Sequence, residues 1–195
     1  MLARAEASTV KVFNDQGLGT GVIVGKNRVV TAAHVVGPNA TMSILLPNGD
    51  VKPGKVLWTG KAPKEDVALI EVDTGRNRVA YLNCNQVKSG DTVYAYGFPL
   101  GIRRVFVKGM VAGNDALKDV VLMSPEAAEA NLPNGLTLLN LDIIFGNSGG
   151  GVWNEYGELV GLAELLVPVP IGYGYSLSGL SAMTSSTEVC KLLNR

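Results

Sequence analysis

The chain has 195 residues, a length that buries roughly 70% of the unfolded surface and suffices for one large domain or two small barrels. Its 17 basic and 17 acidic residues cancel, which leaves no global field to attract nucleic acid or an anionic membrane, and neither is expected as a partner. Charged residues make up only 17% of the total and glycines number 24, a mixture that favours a turn-rich β protein over a helical bundle.

Met1 to Ser8 is interrupted by Arg4 and Glu6 and has no apolar core of signal-peptide length. No apolar stretch approaches the ~18 residues needed to span a bilayer. The expected product is soluble and cytoplasmic, unless a leader has been removed. Cys84 and Cys190 are too few and too isolated for a disulfide framework or a metal site, so both are expected as reduced thiols.

In chain order, Val10 to Phe13 alternates as a strand and ends in the turn cluster Asn14–Gly17. Gly19–Gly25 and Val29–Thr31 flank the polar turn Lys26–Arg28 and predict a hairpin. The hairpin delivers Thr31-Ala32-Ala33-His34-Val35-Val36, closed by Gly37-Pro38. Further short runs at Met42–Leu46, Val51–Trp58 and Val67–Val72 recur at the spacing of a sandwich or barrel. Asn83–Gly90 reads as a connector between two halves, 1–86 and 87–183, with a terminal helix over 184–195.

The second half opens with a strand at Asp91–Gly97 that runs into the turn Phe98-Pro99-Leu100-Gly101. Strands follow at Val105–Ala112 and Asp119–Met123, and Ser124-Pro125-Glu126 has the chemistry of a helix start. The apolar run Leu138–Phe145 reads as a strand leading into Gly146-Asn147-Ser148-Gly149-Gly150-Gly151. Beyond it, Asn154–Gly157 is a hairpin turn, Glu158–Val167 a long strand, Pro168 and Pro170 a loop, and Gly172–Leu180 a last strand. Val189, Leu192 and Leu193 fit one face of a C-terminal helix.

A serine held among glycines can stand at the rim of a β-structure, where backbone N–H groups are exposed. Ser148 becomes a candidate nucleophile when taken with His34, the only histidine, and Asp66, a carboxylate at the entrance of a core strand. Such a serine is a weak nucleophile until an imidazole takes its proton, and the carboxylate fixes the imidazole tautomer. Backbone N–H groups of the Gly146-Asn147-Ser148 segment are the candidate oxyanion donors, with Gly146 and Ser148 best placed to converge. Order discriminates further. No histidine follows Ser148, which removes the α/β-hydrolase arrangement, and Asp66 follows His34, which removes the subtilisin one.

Thr31-Ala32-Ala33-His34, Asp66-Val67-Ala68-Leu69 and Gly146-Asn147-Ser148-Gly149-Gly150 resemble the three signature segments of trypsin-like serine proteases. The last segment, with Gly97-Phe98-Pro99-Leu100-Gly101 and Gly172–Leu177, is closest to the HtrA/Deg-type branch. The resemblance implies an all-β fold of two six-stranded antiparallel barrels, chymotrypsin-like, with a short C-terminal helix. His34 and Asp66 would come from the first barrel and Ser148 from the second, meeting in the cleft between them. It implies a serine endopeptidase acting on protein or peptide substrates.

The departures from the family pattern carry expectations too. No residues remain after Arg195 for a PDZ domain, and the span between His34 and Asp66 is short for the family's regulatory loop. Asn147 stands where digestive relatives have an aspartate that pairs with a newly cut N-terminus, and an amide cannot make that ion pair. Activity without N-terminal trimming is expected. For the S1 pocket, Asp142 would predict cleavage after Arg or Lys. Ile143, Ile144 and Phe145 instead favour Val, Leu or Ala, and Ala163 and Glu164 are further candidates for the pocket. Two rivals share the pattern: a dedicated viral or phage-type processing protease, and a non-catalytic relative that holds peptides by strand addition. Trp58, Trp153 and the tyrosines are expected in packing, and neither a metal nor another cofactor is expected.

Overall fold

Turn chemistry and alternating apolar residues organise the first half of the chain as predicted. In the computed structural model, which describes residues 1–61, 64–102, 105–114, 135–171 and 174–194 and gives the backbone alone for 165–171 and 174–178, β1 (Thr9–Asn14) pairs with β2 (Gly17–Gly25). Asn27, at φ 58°, turns β2 back into β3 (Arg28–Thr31). With β4 (Thr41–Leu45), β5 (Val51–Thr59) and β6 (Ala68–Glu71), these close a six-stranded barrel in the order β1-β2-β3-β6-β5-β4.

The second barrel closes in the order β10-β11-β12-β9-β8-β7. Its strands are β7 (Thr92–Gly97), β8 (Val105–Asn114), β9 (Leu136–Asn140), β10 (Gly151–Asn154), β11 (Leu159–Ile171) and β12 (Gly174–Ser185). Every pairing of the named strands is antiparallel. The two-barrel expectation holds. The strand expected at Asp119–Met123 and the helix expected from Ser124 lie outside the described residues.

Three apolar clusters follow from the two-residue period of the strands. Val10, Val12, Ile23, Val29, Ile44 and Ile70 fill the first barrel, and Val93, Leu139, Ile143, Val152 and Met183 fill the second. The alternate residues Val22, Val30 and Trp153 face outward and meet between the barrels, joined there by Tyr96, Leu159 and Leu162. Strands β2 and β3 are therefore buried on both faces, which is why their sequences read as nearly continuous β-branched runs. Helix α3 (Ser186–Leu193) lays Val189 and Leu192 on the same seam, as its spacing predicted.

Three local expectations are corrected, and one element was not foreseen. Cys84 and Cys190 are joined in a disulfide across 106 residues, with Cα atoms 5.9 Å apart, and are not free thiols. The link ties the connector between the barrels to α3, a proximity that no local pattern announces. Pro168 and Pro170 lie within β11, opposite Leu177 and Tyr175, and not in a loop. Prolines two apart lose their N–H groups on the same edge of a strand, and among the described residues β12 is the strand paired with β11 around them. The run Leu138–Phe145 is a strand only as far as Asn140. Leu141 and Ile143 are buried because they plug the second barrel from a loop. Finally, Leu2–Ser8 forms a helix, α1, with Ala5 on the inter-barrel cluster.

Candidate active site

The register of β3 against β6 builds the first half of the site. Thr31 lies opposite Ala68, so the residues that follow β3 and those that precede β6 emerge at one end of the barrel. After β3 comes the one-turn helix α2 (Ala33–Val36), which carries His34; just before β6 comes Asp66. Ala32 and Ala33 are buried, and their small side chains let the turn lie close to the barrel. His34 Nδ1 and Asp66 Oδ2 are 2.5 Å apart, and the His34 backbone N–H donates to Asp66 Oδ1 at 2.8 Å. Both carboxylate oxygens are thus engaged by one residue.

The Asp66 carboxyl is held well below the usual carboxylate range. Burial acts to raise it, but hydrogen bonds with His34 and Glu164, the imidazole charge and the His34 backbone N–H together outweigh burial. About half of the His34 side chain is exposed (49%), whereas the Asp66 side chain is mostly covered (13%). One ring nitrogen is anchored while the ring edge faces a cleft.

The second barrel supplies the serine. Gly149 sits at φ +77°, and a Cβ there would lie 2.5 Å from both Ala32 N and Thr20 O, so only glycine lets this loop meet the first barrel. Gly146, at φ +97°, makes an equally close approach to Phe98 O. The loop is pinned on the other side by Ala163, whose carbonyl accepts from Gly149 N–H and whose N–H donates to Gly150 O, each at 2.7 Å. Ser148 and His34 then line the same cleft of about 410 Å³, with Leu18, Val35, Phe145 and Gly146 around them. Within it, Ser148 Oγ donates to the Glu164 carbonyl at 3.2 Å, and no hydrogen bond joins it to His34 among the described residues.

The three expected oxyanion donors separate. Asn147 N–H is used by Ile144 O at 3.0 Å. Gly146 N–H and Ser148 N–H have no partner among the described hydrogen bonds, which leaves a pair of free donors beside the serine. The S1 candidates separate as well. Asp142 is exposed, Ile143 belongs to the barrel core, Ile144 is exposed (37%), Phe145 is exposed and lines the cleft (66%), and Ala163 is buried with its backbone on the serine loop. Glu164 is buried, with Oε1 accepting from Thr184 Oγ1, and its carboxyl turns toward Asp66.

Thr20 was not singled out by the sequence, where Gly19-Thr20-Gly21 reads as ordinary strand. Its hydroxyl donates to Gly146 O at 2.7 Å and accepts from Phe98 N–H at 3.1 Å, while its backbone N–H donates to Ser148 O at 2.9 Å. One first-barrel residue therefore locks the Gly146–Ser148 loop. Thr20→Val keeps the shape but strands two buried backbone groups, and is expected to cost about 1–3 kcal/mol in urea unfolding. Thr20→Ser should cost much less; equal losses would show that the hydroxyl bonds do not matter.

His34 Nδ1 and carboxyl oxygens of Asp66 and Glu164 lie within 4.8 Å of one another, a donor set that a divalent ion could take. Ligands on bonds of about 2.1 Å around a tetrahedral ion stand about 3.4 Å apart. At 2.5 Å, His34 Nδ1 and Asp66 Oδ2 stand too close to be two ligands of one ion, and their contact is a short hydrogen bond.

A family model described as a trypsin-like peptidase domain matches residues 19–162, which span the histidine, aspartate and serine segments. The chain belongs to the trypsin-like peptidase family. This trypsin-like domain is 31% identical over 171 residues to the periplasmic serine endoprotease DegP of Salmonella typhimurium, covering 82% of the chain and 33% of the relative. It is 25% identical over 184 residues to the serine protease Do-like HtrA of Lactobacillus helveticus, covering 90% and 42%. The chain therefore spans about a third to two-fifths of the length of these relatives. Among solved structures, the serine endoprotease of Yersinia pestis superposes with a TM-score of 0.80 at 22% identity, over 99% of this chain and 64% of that one. The inactive form of the Rv3671c protease gives 0.80 at 20% identity, over 99% and 90%. At these identities the structures speak for the trypsin-like fold.

Proposed function

We propose that this trypsin-like chain is a serine endopeptidase that works through His34, Asp66 and Ser148. The observation that carries the reading is the 2.5 Å contact between His34 Nδ1 and Asp66 Oδ2 in the cleft that Ser148 also lines. A turn about the Ser148 Cα–Cβ bond, from one staggered position to another, would exchange the Glu164 carbonyl for His34 Nε2. His34 then takes the hydroxyl proton as Oγ bonds to the substrate carbonyl carbon, and the oxyanion falls to Gly146 and Ser148 N–H. The imidazolium returns that proton to the leaving amine as the C–N bond breaks. Water, deprotonated by the same imidazole, releases the acyl group and regenerates the serine. Two backbone N–H groups without partners among the described residues, on either side of Asn147 and beside the serine, favour catalysis over mere peptide holding.

For the residue before the scissile bond we propose a small or medium apolar side chain. The exposure of Asp142 supports this, because a surface carboxylate does not floor a pocket for Arg or Lys. Asn147 supports activity without N-terminal trimming, and the disulfide supports work in an oxidising compartment, in keeping with relatives named periplasmic. No helix among the described residues is long and apolar enough to cross a membrane. Digestion of casein with the fragment ends sequenced tests the proposal. Expected are new C-termini dominated by Val, Leu and Ala, produced by a chain of unchanged mass. Ends dominated by Arg and Lys would overturn the apolar preference, and an absence of fragments would overturn the endopeptidase.

A further inference from the structure

Glu164 is the buried acid that the proposed chemistry leaves without a task. It lies on β11, is 2% exposed, and packs its carboxyl beside Asp66. Oε1 accepts from the Thr184 hydroxyl of β12, while Oε2 is buried with no conventional donor to satisfy it. The titratable groups that face it among the described residues are Asp66 and His34, all within 4.8 Å.

Two carboxylates this close inside a protein do not both ionise. Asp66 is the one that keeps its charge, since two N–H groups of His34 point at its oxygens at 2.5 and 2.8 Å. Glu164 has only a hydroxyl donor, so it retains the shared proton. A protonated carboxyl has an O–H to give, and placing it on Oε2 resolves the orphaned atom.

We propose that Glu164 is a neutral carboxylic acid that donates its O–H to the Asp66 carboxylate and so acts as a positioning residue for the His34–Asp66 pair. Held between His34 on one side and Glu164 on the other, the Asp66 carboxylate keeps one orientation, and the imidazole keeps the tautomer that leaves Nε2 free for Ser148. The proposal rests on the reading of His34, Asp66 and Ser148 given above. Burial first, then the neighbouring Asp66 carboxylate, raises the Glu164 carboxyl well above its ordinary range, with the Thr184 hydroxyl opposing. The opposite shift of Asp66 fits the same division of one proton between two acids.

The test compares wild type with Glu164→Gln, which keeps a donor and an acceptor, and Glu164→Leu, which keeps only bulk; Glu164→Met replaces the latter if it does not fold. Expected for Glu164→Gln is a kcat within about 3-fold of wild type, and for the apolar variant a fall of about 10- to 100-fold with KM little changed. The low-field proton resonance of His34 Nδ1–H, unambiguous because the chain has one histidine, should persist in Glu164→Gln and move or vanish in the apolar variant. Thermal unfolding reads the proton itself. An acid that binds its proton more tightly folded than unfolded destabilises the fold as pH rises above about 4.3. Glu164→Gln should therefore match wild type near pH 4 and exceed it increasingly toward pH 8. A glutamine variant as impaired as the apolar one, an apolar variant as active as wild type, or a stability gap independent of pH would each overturn the proposal. If no form hydrolyses peptides, the endopeptidase reading fails, while the resonance and the unfolding curves still decide the role of Glu164.

Discussion

Ser148→Ala is expected to lower kcat/KM for peptide hydrolysis by about 10⁴-fold or more, with peptide binding nearly unchanged. The split follows from what the substitution removes. The proposed oxyanion donors are backbone N–H groups of Gly146 and Ser148, and the loop that presents them is held by Thr20 and Ala163 through bonds to its main chain. An alanine keeps all of these. What disappears is the oxygen that forms the acyl bond, so the loss should fall on kcat. His34→Ala should cost a similar factor, and the double variant little more than either single one, because a nucleophile without its base is no better than no nucleophile. Additive losses would mean that the two residues do not act as a unit, and a Ser148→Ala enzyme within about tenfold of wild type would remove the serine from the chemistry.

Opening the disulfide is expected to be the largest change in stability. Cys84 and Cys190 enclose a loop with a sequence separation of 106, and closing a loop of that size restricts the unfolded chain by about 4–5 kcal/mol. In a domain of this length that corresponds to a fall in Tm of about 10–15 °C. The folded side of the balance has a definite address. Cys84 lies in the connector, whose Asn83 and Cys84 carbonyls accept from the Ser186 and Thr187 hydroxyls at the start of α3. With the bond gone, α3 should be the first element to loosen, withdrawing Val189 and Leu192 from the seam. Calorimetry of Cys84→Ser/Cys190→Ser, and of wild type with and without reductant, checks this. An unchanged Tm with both thiols titrated free would contradict it.

Most strands were legible because β-branched runs between Gly, Pro and Asn turns announce them, whereas their closure into two barrels was what the resemblance to trypsin-like proteases implied. The expected site residues His34, Asp66 and Ser148 were legible as types in an order. Their meeting in one cleft was expected only through the resemblance, since physically it depends on Thr31 pairing with Ala68 and on Gly149 allowing the serine loop against the first barrel. Where the reading failed, the deciding contact was remote. An apolar residue such as Ile143 looks the same in a buried loop as in a strand, and Pro168 and Pro170 look like loop until β12 is known to pair beside them. In the sequence Glu164 stands only as a candidate for the pocket. Only the meeting of β11 with the entrance of β6 reveals that its carboxyl belongs with Asp66. The short helix α1 was missed although Leu2-Ala3-Arg4-Ala5-Glu6-Ala7 is rich in good helix formers.

The central claim is that the first barrel activates one particular alcohol on the second. Reaction with a fluorophosphonate, followed by intact mass and peptide mapping, tests it most directly. The account predicts one adduct per chain, carried on Ser148, with labelling slowed by orders of magnitude in His34→Ala. No adduct in the disulfide-intact chain, or an adduct on another residue that persists in Ser148→Ala, would contradict it.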